Sequence, residues 1–143
     1  MGLFGHRAMA RVTSSGAGRL EVARADGANF AIDLGVIDLI GFIHVGDEFS
    51  PVHEGWWLLA GADGGHAINL ECGAIDPLMR EGGGAAGSTA RLVQIDVASR
   101  PSELRGRDAR DGVAVLSAAD VVSIQSKGIV IAQDSVRDFP MIL

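Results

Sequence analysis

The chain has one cysteine and no tyrosine, and these shortages narrow its chemistry. A single thiol, Cys72, can form neither an internal disulfide nor a zinc site of several cysteines. Cys72 follows an apolar stretch, and burial raises the pKa of a thiol and leaves little thiolate. We therefore expect an inert, buried cysteine. One free cysteine also fits a reducing compartment, so the expected location is cytoplasmic.

Long apolar runs are missing as well. The longest nearly apolar stretch, residues 36–45, contains Asp38 and His44. It is far shorter than the roughly 18 residues that span a bilayer. The first residues, MGLFGHRAMARV, carry two arginines but no apolar core of a signal peptide. We expect no membrane contact and no secretion.

Positive charge is scarce, with 12 basic residues against 18 acidic ones and a formal net charge of −6. This balance argues against binding nucleic acid through a broadly positive surface. The basic residues do cluster at one place, within residues 100–111, where four arginines are interspersed with three acids. Local ion pairing is the simpler interpretation of this cluster, and a carboxylate or phosphate site is the alternative.

The usual signatures of catalysis and cofactor binding are absent. The chain has no Gly-x-Ser-x-Gly and no His-Glu-x-x-His. The glycine-rich residues 81–88 lack the Gly-Lys-Ser/Thr ending of a phosphate loop and precede a predicted strand. We therefore predict no catalytic residue and no cofactor.

Glycine and apolar residues are abundant. Twenty glycines in 143 residues are about twice the usual share of roughly 7%, which indicates many tight turns rather than long helices. The length suits one domain, residues 1–143. Because 48% of the residues are hydrophobic, we expect some apolar surface to lie in an interface, most simply in a homo-oligomer or with a protein partner.

Apolar residues recur with period two around Asp26-Gly27, which indicates a β-hairpin. A three-residue loop, residues 26–28, places Val22 opposite Ile32 and keeps the apolar side chains on one face. It also puts Gly27 near its left-handed position.

A second hairpin is predicted from Trp56 to Cys72. A two-residue turn, at residues 63–64 or 64–65, groups Trp57 with Ile68 and Cys72 in the core. Trp56 then lies on the other face as a half-exposed aromatic that could contact a ligand or partner. A three-residue turn would reverse this assignment.

Further strands are predicted at residues 90–98 and 113–116, and residues 121–133 read as a hairpin turning at Lys127-Gly128. About eight or nine short strands make an all-β or strongly β-dominated domain, most simply a small antiparallel barrel or sandwich of Asp-Gly hairpins. Segments 20–38, 57–76 and 109–120 share an Asp-Gly pattern that could be an internal repeat. A β-trefoil-like arrangement with threefold pseudosymmetry is the alternative.

Three functional hypotheses follow. The favoured one is a non-catalytic β-rich module that self-associates or binds a protein partner, with the C-terminal apolar residues in the interface. Its candidate contact residues are Trp56, Asp47, Glu48, Glu54, Phe139 and Met141. The second is a metal-binding protein or metal-dependent enzyme using His44, His53 and His66, because imidazoles and carboxylates suit borderline metals. The third is a barrel that binds a small molecule or an anion.

Overall fold

The computed structural model describes residues 9–14, 18–46, 54–73, 91–104 and 110–133. These ranges contain nine strands and one α-helix. In chain order they are β1 (Arg11–Ser14), β2 (Arg19–Ala23), β3 (Asn29–Asp33), β4 (Leu39–Val45), β5 (Glu54–Gly61), β6 (Gly64–Asn69), β7 (Arg91–Val97), β8 (Val113–Ser117), α1 (Ala118–Ser126) and β9 (Ile129–Gln133).

The strands form two sheets, which confirms a β-dominated fold. One sheet has three strands in the order β1-β2-β3, and the other has six in the order β8-β6-β5-β4-β7-β9. Every pair is antiparallel except β4 with β7, which run parallel. Within the described ranges neither sheet closes into a barrel, and no threefold arrangement of the kind found in a trefoil is seen.

The six-stranded sheet is covered on both faces. In β5 all residues from Gly55 to Ala60 are buried, a continuous pattern that is typical of a strand with no solvent-facing side. On one face Phe42, Trp57 and Ile68 pack against Leu20, Val22 and Ile32 of the three-stranded sheet; we call this the inter-sheet core. On the opposite face Ile43, Trp56 and Leu58 pack with Leu104, Val121 and Ile124; we call this the helix-side core.

Helix α1 occupies residues predicted to be a strand, and that part of the prediction is wrong. Ser117 begins the helix with a capping box: its hydroxyl accepts from the N–H of Asp120 at 3.1 Å, and the Asp120 carboxylate accepts from the N–H of Ser117 at 3.0 Å. Val121 and Ile124, three residues apart, then share the buried face. The Lys127-Gly128 step joins α1 to β9 and is not a hairpin turn. β9 itself was predicted correctly.

Both predicted hairpins exist, with turns one residue earlier than the nearest predicted ones. The first has a three-residue loop at residues 25–27, which pairs Leu20 with Ile32 and gives Gly27 a φ of 93°. The second has a two-residue turn at residues 62–63, which pairs Trp57 with Ile68. Because both shifts preserve the alternation of side chains, the predicted grouping of faces is confirmed.

The two hairpins also end alike. Each leads into a short 3₁₀ segment, Leu34–Val36 or Leu70–Cys72, begun by an Asx side chain. Asp33 accepts from the N–H of Gly35 and Asn69 from the N–H of Glu71, both at 2.9 Å. In the third segment, the described residues 110–120 form β8 and the start of α1, and no hairpin is seen among them. Duplication of the first two hairpins stays a prediction.

In the ranges described, no helix has the length and apolar character needed to cross a membrane.

Replacing the N-cap residue Ser117 tests whether the capping box stabilises α1. Ser117→Ala removes the acceptor for the Asp120 N–H and should lower the free energy of unfolding by about 1 kcal/mol in urea titration. Ser126→Ala is the matched control, because that hydroxyl sits at the other end of the same helix and bonds an exposed carbonyl. Equal effects from the two variants would show that the capping box does not stabilise α1.

Candidate functional site

Trp56 is not the half-exposed aromatic that the sequence predicted. It is 0% exposed and lies in the helix-side core, because β5 is a central strand and α1 covers the face that was expected to be open. Its indole N–H donates to Glu54 Oε1 at 3.0 Å. The guanidinium carbon of Arg100 lies 5.3 Å from the ring centroid. Trp56 therefore serves packing and offers no surface to a ligand in the described structure.

Glu54 is held in the same cluster. Arg100 donates through Nε to Glu54 Oε1 at 2.7 Å and through Nη2 to Oε2 at 2.8 Å. The hydrogen bonds to Glu54 raise the pKa of Arg100, against the effect of burial. A bidentate pair of this kind fixes both side chains. It ties β5 to the segment that follows β7. It also engages both carboxylate oxygens of Glu54, the residue that the sequence predicted to contact a partner.

The described histidines lie apart. His44 is on β4 and His66 on β6, with β5 between them. The two residues are separated by two strand spacings across the sheet and by four residues along the strands, which puts their Cα atoms about 17 Å apart. His44 Nδ1 lies 3.7 Å from Asp96 Oδ1. Among the residues described, no group of three or more histidine, cysteine or acidic side chains could hold a metal ion.

Several predicted site residues fall outside the described ranges. They are His53 of the proposed metal site, and Asp47, Glu48, Phe139 and Met141 of the proposed contact surface. Their roles stay predictions.

A cleft of about 600 Å³ opens where β5 turns into β6. Its floor is the six-stranded sheet, where Val115, His66 and Leu59 lie side by side on neighbouring strands β8, β6 and β5. Ile32 of β3 and Ile37, which follows the first 3₁₀ segment, form the opposite wall. Among the described residues, the three-stranded sheet does not extend over all six strands below it, which leaves this cleft between the sheets.

Glycines let the β5–β6 turn lie close to its neighbouring strands. A Cβ on Gly65 would collide with the carbonyl oxygen of Leu59, and Gly64 has a φ of 126°. Only glycine tolerates these positions without strain, so the start of β6 packs directly against the backbones of β5 and β8.

His66 is the distinctive polar group of the cleft. Its ring is half-buried and stacks on Phe30 with centroids 4.8 Å apart and planes 23° apart. Burial, followed by the charge of Arg24, lowers the pKa of His66. The imidazole is therefore neutral at pH 7. No described residue hydrogen-bonds to it, so it offers a ligand one N–H donor and one nitrogen acceptor.

An ion pair beside the cleft joins the two sheets. Arg24 donates to Asp111 through Nε at 3.0 Å and Nη2 at 2.8 Å, and Nη2 also donates to the carbonyl of Val113 at 2.8 Å. Burial would raise the pKa of Asp111, but these bonds and the N–H groups of Ala25 and Val113 outweigh burial and lower it. The pair fixes the first hairpin to the start of β8.

Cys72 lies against the same corner. Its thiol donates to the carbonyls of Asp111 and Gly112 at 3.4 and 3.5 Å. Burial, with the nearby Asp111 charge, raises the pKa of the thiol to about 12. The expectation of a buried thiol with little thiolate is confirmed.

No protein-family model, curated protein or solved structure matches this chain.

The pKa of His66 can be read directly by NMR titration of the imidazole resonances. We expect a midpoint below the ordinary value of about 6.5. Because the folded pKa lies below the unfolded one, stability should fall as the pH drops below about 6.5. Phe30→Leu, which uncovers one ring face, should move the midpoint upward. A midpoint at or above the ordinary value in the native protein would contradict the proposed burial.

Asp111 supplies an acid-sensitive contribution to stability. Asp111→Asn leaves Arg24 without its carboxylate and should cost about 3 kcal/mol at pH 7. The native pKa is lowered, so this contribution is complete above about pH 4 and is lost as the pH falls through the folded value. Urea titrations of both proteins should therefore converge in acid, whereas the exposed control Asp38→Asn should follow the native curve throughout.

Proposed function

We propose that the protein is a non-catalytic module that binds a small, largely apolar molecule in the cleft beside His66. The observation that carries this proposal is a half-buried imidazole, free of hydrogen bonds from described residues, set in the apolar wall of a cleft. Such a group supplies orientation to a ligand whose affinity comes from apolar contact.

The size and lining of the cleft support a ligand of this kind. A volume of about 600 Å³ falls within the roughly 300–1,000 Å³ that is usual for ligand pockets. Two of the three large hydrophobic residues exposed in the described ranges, Val36 at 69% and Val115 at 60%, stand at this cleft. Covering apolar surface there stabilises a complex by roughly 25 cal/mol per Å² removed from water.

Binding is favoured over catalysis by what surrounds His66. General acid and base catalysis needs a second group placed to bind or activate the reacting atom. The described residues that line the cleft include no serine, cysteine or lysine as a nucleophile, and the two carboxylic acids among them, Asp33 and Asp63, are exposed to solvent.

Self-association remains a second proposal, as does binding to a protein partner. The described part of the chain supports it through Val122, which is 68% exposed on α1 and is not among the residues that line the cleft. Light scattering at micromolar concentration tests it, and a monomer mass there would contradict it. A cytoplasmic location is likewise a proposal.

The cleft can be tested with 4-phenylbutan-1-ol, a neutral probe with an apolar body and one hydroxyl. Isotope-edited NMR should show saturable shifts at His66, Leu59 and Ile32. Val115→Arg places a charge at the mouth and should weaken binding about tenfold. Val122→Arg is the matched control, since that valine is equally exposed but lies on α1. Loss of binding in both variants, or shifts outside the cleft only, would contradict the proposal.

A further inference from the structure

We infer that the apolar residues 139–143, Phe-Pro-Met-Ile-Leu, occupy the cleft beside His66 of their own chain. The inference deepens the proposed function and rests on it, because it names an internal competitor for the site at which a small apolar molecule would bind.

Strand β9 ends at the same end of the six-stranded sheet as the cleft. Its last residue, Gln133, pairs with Leu92 of β7, and Leu92 pairs with Ile40 of β4. Ile40 in turn pairs with Leu59 of β5, which lines the cleft. The end of β9 therefore lies three strand spacings, about 14 Å, from the strand that carries Leu59.

The sequence after β9 provides a spacer of matching length. Residues 134–138, DSVRD, contain three charged side chains and precede five consecutive apolar residues. Five fully extended residues span at most about 17 Å. Phe139 can therefore reach β5, and residues 140–143 can extend across β6 towards β8.

Other segments outside the described ranges are less suited to the cleft. Residues 74–90 meet the sheet at this end, just before β7, but the nine nearest to it, 82–90, are only glycine, alanine, serine and threonine. Residues 47–53 join β4 to β5 at the opposite end, where Val45 pairs with Glu54. The apolar block at 139–143 is thus the one that both its composition and the end of β9 favour.

The cleft presents the surface that such a segment would cover. Val36 and Val115 stand at it with 69% and 60% of their surface exposed, and covering them removes apolar area from water. The imidazole of His66, to which no described residue hydrogen-bonds, is neutral at pH 7. It can donate to a backbone carbonyl of the segment and accept from a backbone N–H.

Tethering makes a weak contact effective. A segment on a short linker has an effective concentration in the millimolar range. With an intrinsic dissociation constant of about 0.1 mM, it would fill the cleft about nine-tenths of the time. A free ligand would then bind about tenfold more weakly than it binds an open cleft.

A spin label next to the apolar block tests where the block lies. Asp138→Cys can be labelled selectively in the full chain, because the native thiol of Cys72 is buried and has its pKa raised to about 12. We expect the label to broaden the amide signals of His66 and Val115. A mixture of spin-labelled protein with isotope-labelled protein that carries no spin label should show no broadening, because the contact lies within one chain.

Two acidic substitutions assign the contact to the apolar block. Met141→Asp places a charge in the block, so the broadened signals should recover. Val136→Asp, the same kind of change in the spacer, is the matched control and should leave them broadened. Without the spin label, Met141→Asp should bind 4-phenylbutan-1-ol about tenfold more tightly than the native chain, whereas Val136→Asp should bind it as the native chain does.

The outcomes separate the internal contact from the function beneath it. Unbroadened cleft signals, broadening in the mixed sample, or equal probe affinity in Met141→Asp and the native chain would overturn the internal contact while leaving a ligand-binding cleft. If the probe shifts no cleft residue even in Met141→Asp, the proposed function itself fails, and the spin-label result alone decides whether residues 139–143 occupy the cleft.

Discussion

The need to cover both faces of the central strand β5 governs the architecture. Six consecutive residues of β5 are buried, so neither face can be left to water. Trp57 requires a cover on one side and Trp56 on the other. The chain supplies the first from the N-terminal three-stranded sheet and the second from α1 and the short segment Ser102–Leu104. On the inter-sheet side, the narrower three-stranded cover leaves the cleft beside His66.

The Arg24–Asp111 pair joins the two sheets beside that opening. It attaches the first hairpin to the start of β8, and the cleft opens farther along the same strand, around Val115 and the β5–β6 turn. The pair also protects the edge of β8. Its bonds occupy the N–H and C=O of Val113, and the capping box occupies the N–H of Ser117. The backbone N–H and C=O groups of successive residues point alternately to the two sides of a strand, so in β8 only Val115 is left with unpaired groups on the outer edge. This edge therefore offers few hydrogen bonds to an added strand.

Side-chain alternation was enough to predict which residues of each hairpin share a face. It placed Trp57 with Ile68 and Cys72 correctly, because these neighbours are set by a turn a few residues long. It could not predict what covers Trp56, since α1 lies some sixty residues later. The helix was missed because Val121, Val122 and Ile124 are β-branched and favour strands, although Ser117 and Asp120 carry the capping signal. Arg24 and Asp111, 87 residues apart, left no local pattern at all.

His66 shows how the meaning of a residue depends on its distant neighbours. Its sequence context, beside two glycines and ahead of an apolar run, suggested a ligand for a metal shared with His44. The sheet order separates those two rings and instead brings Phe30 onto His66 from another sheet. Burial, followed by the charge of Arg24, lowers the pKa of His66, and the glycines next to it let β6 lie close to β5 and β8. A metal would need further ligands that the described residues do not bring there, whereas an organic ligand needs only the apolar wall and one polar atom, and both are present.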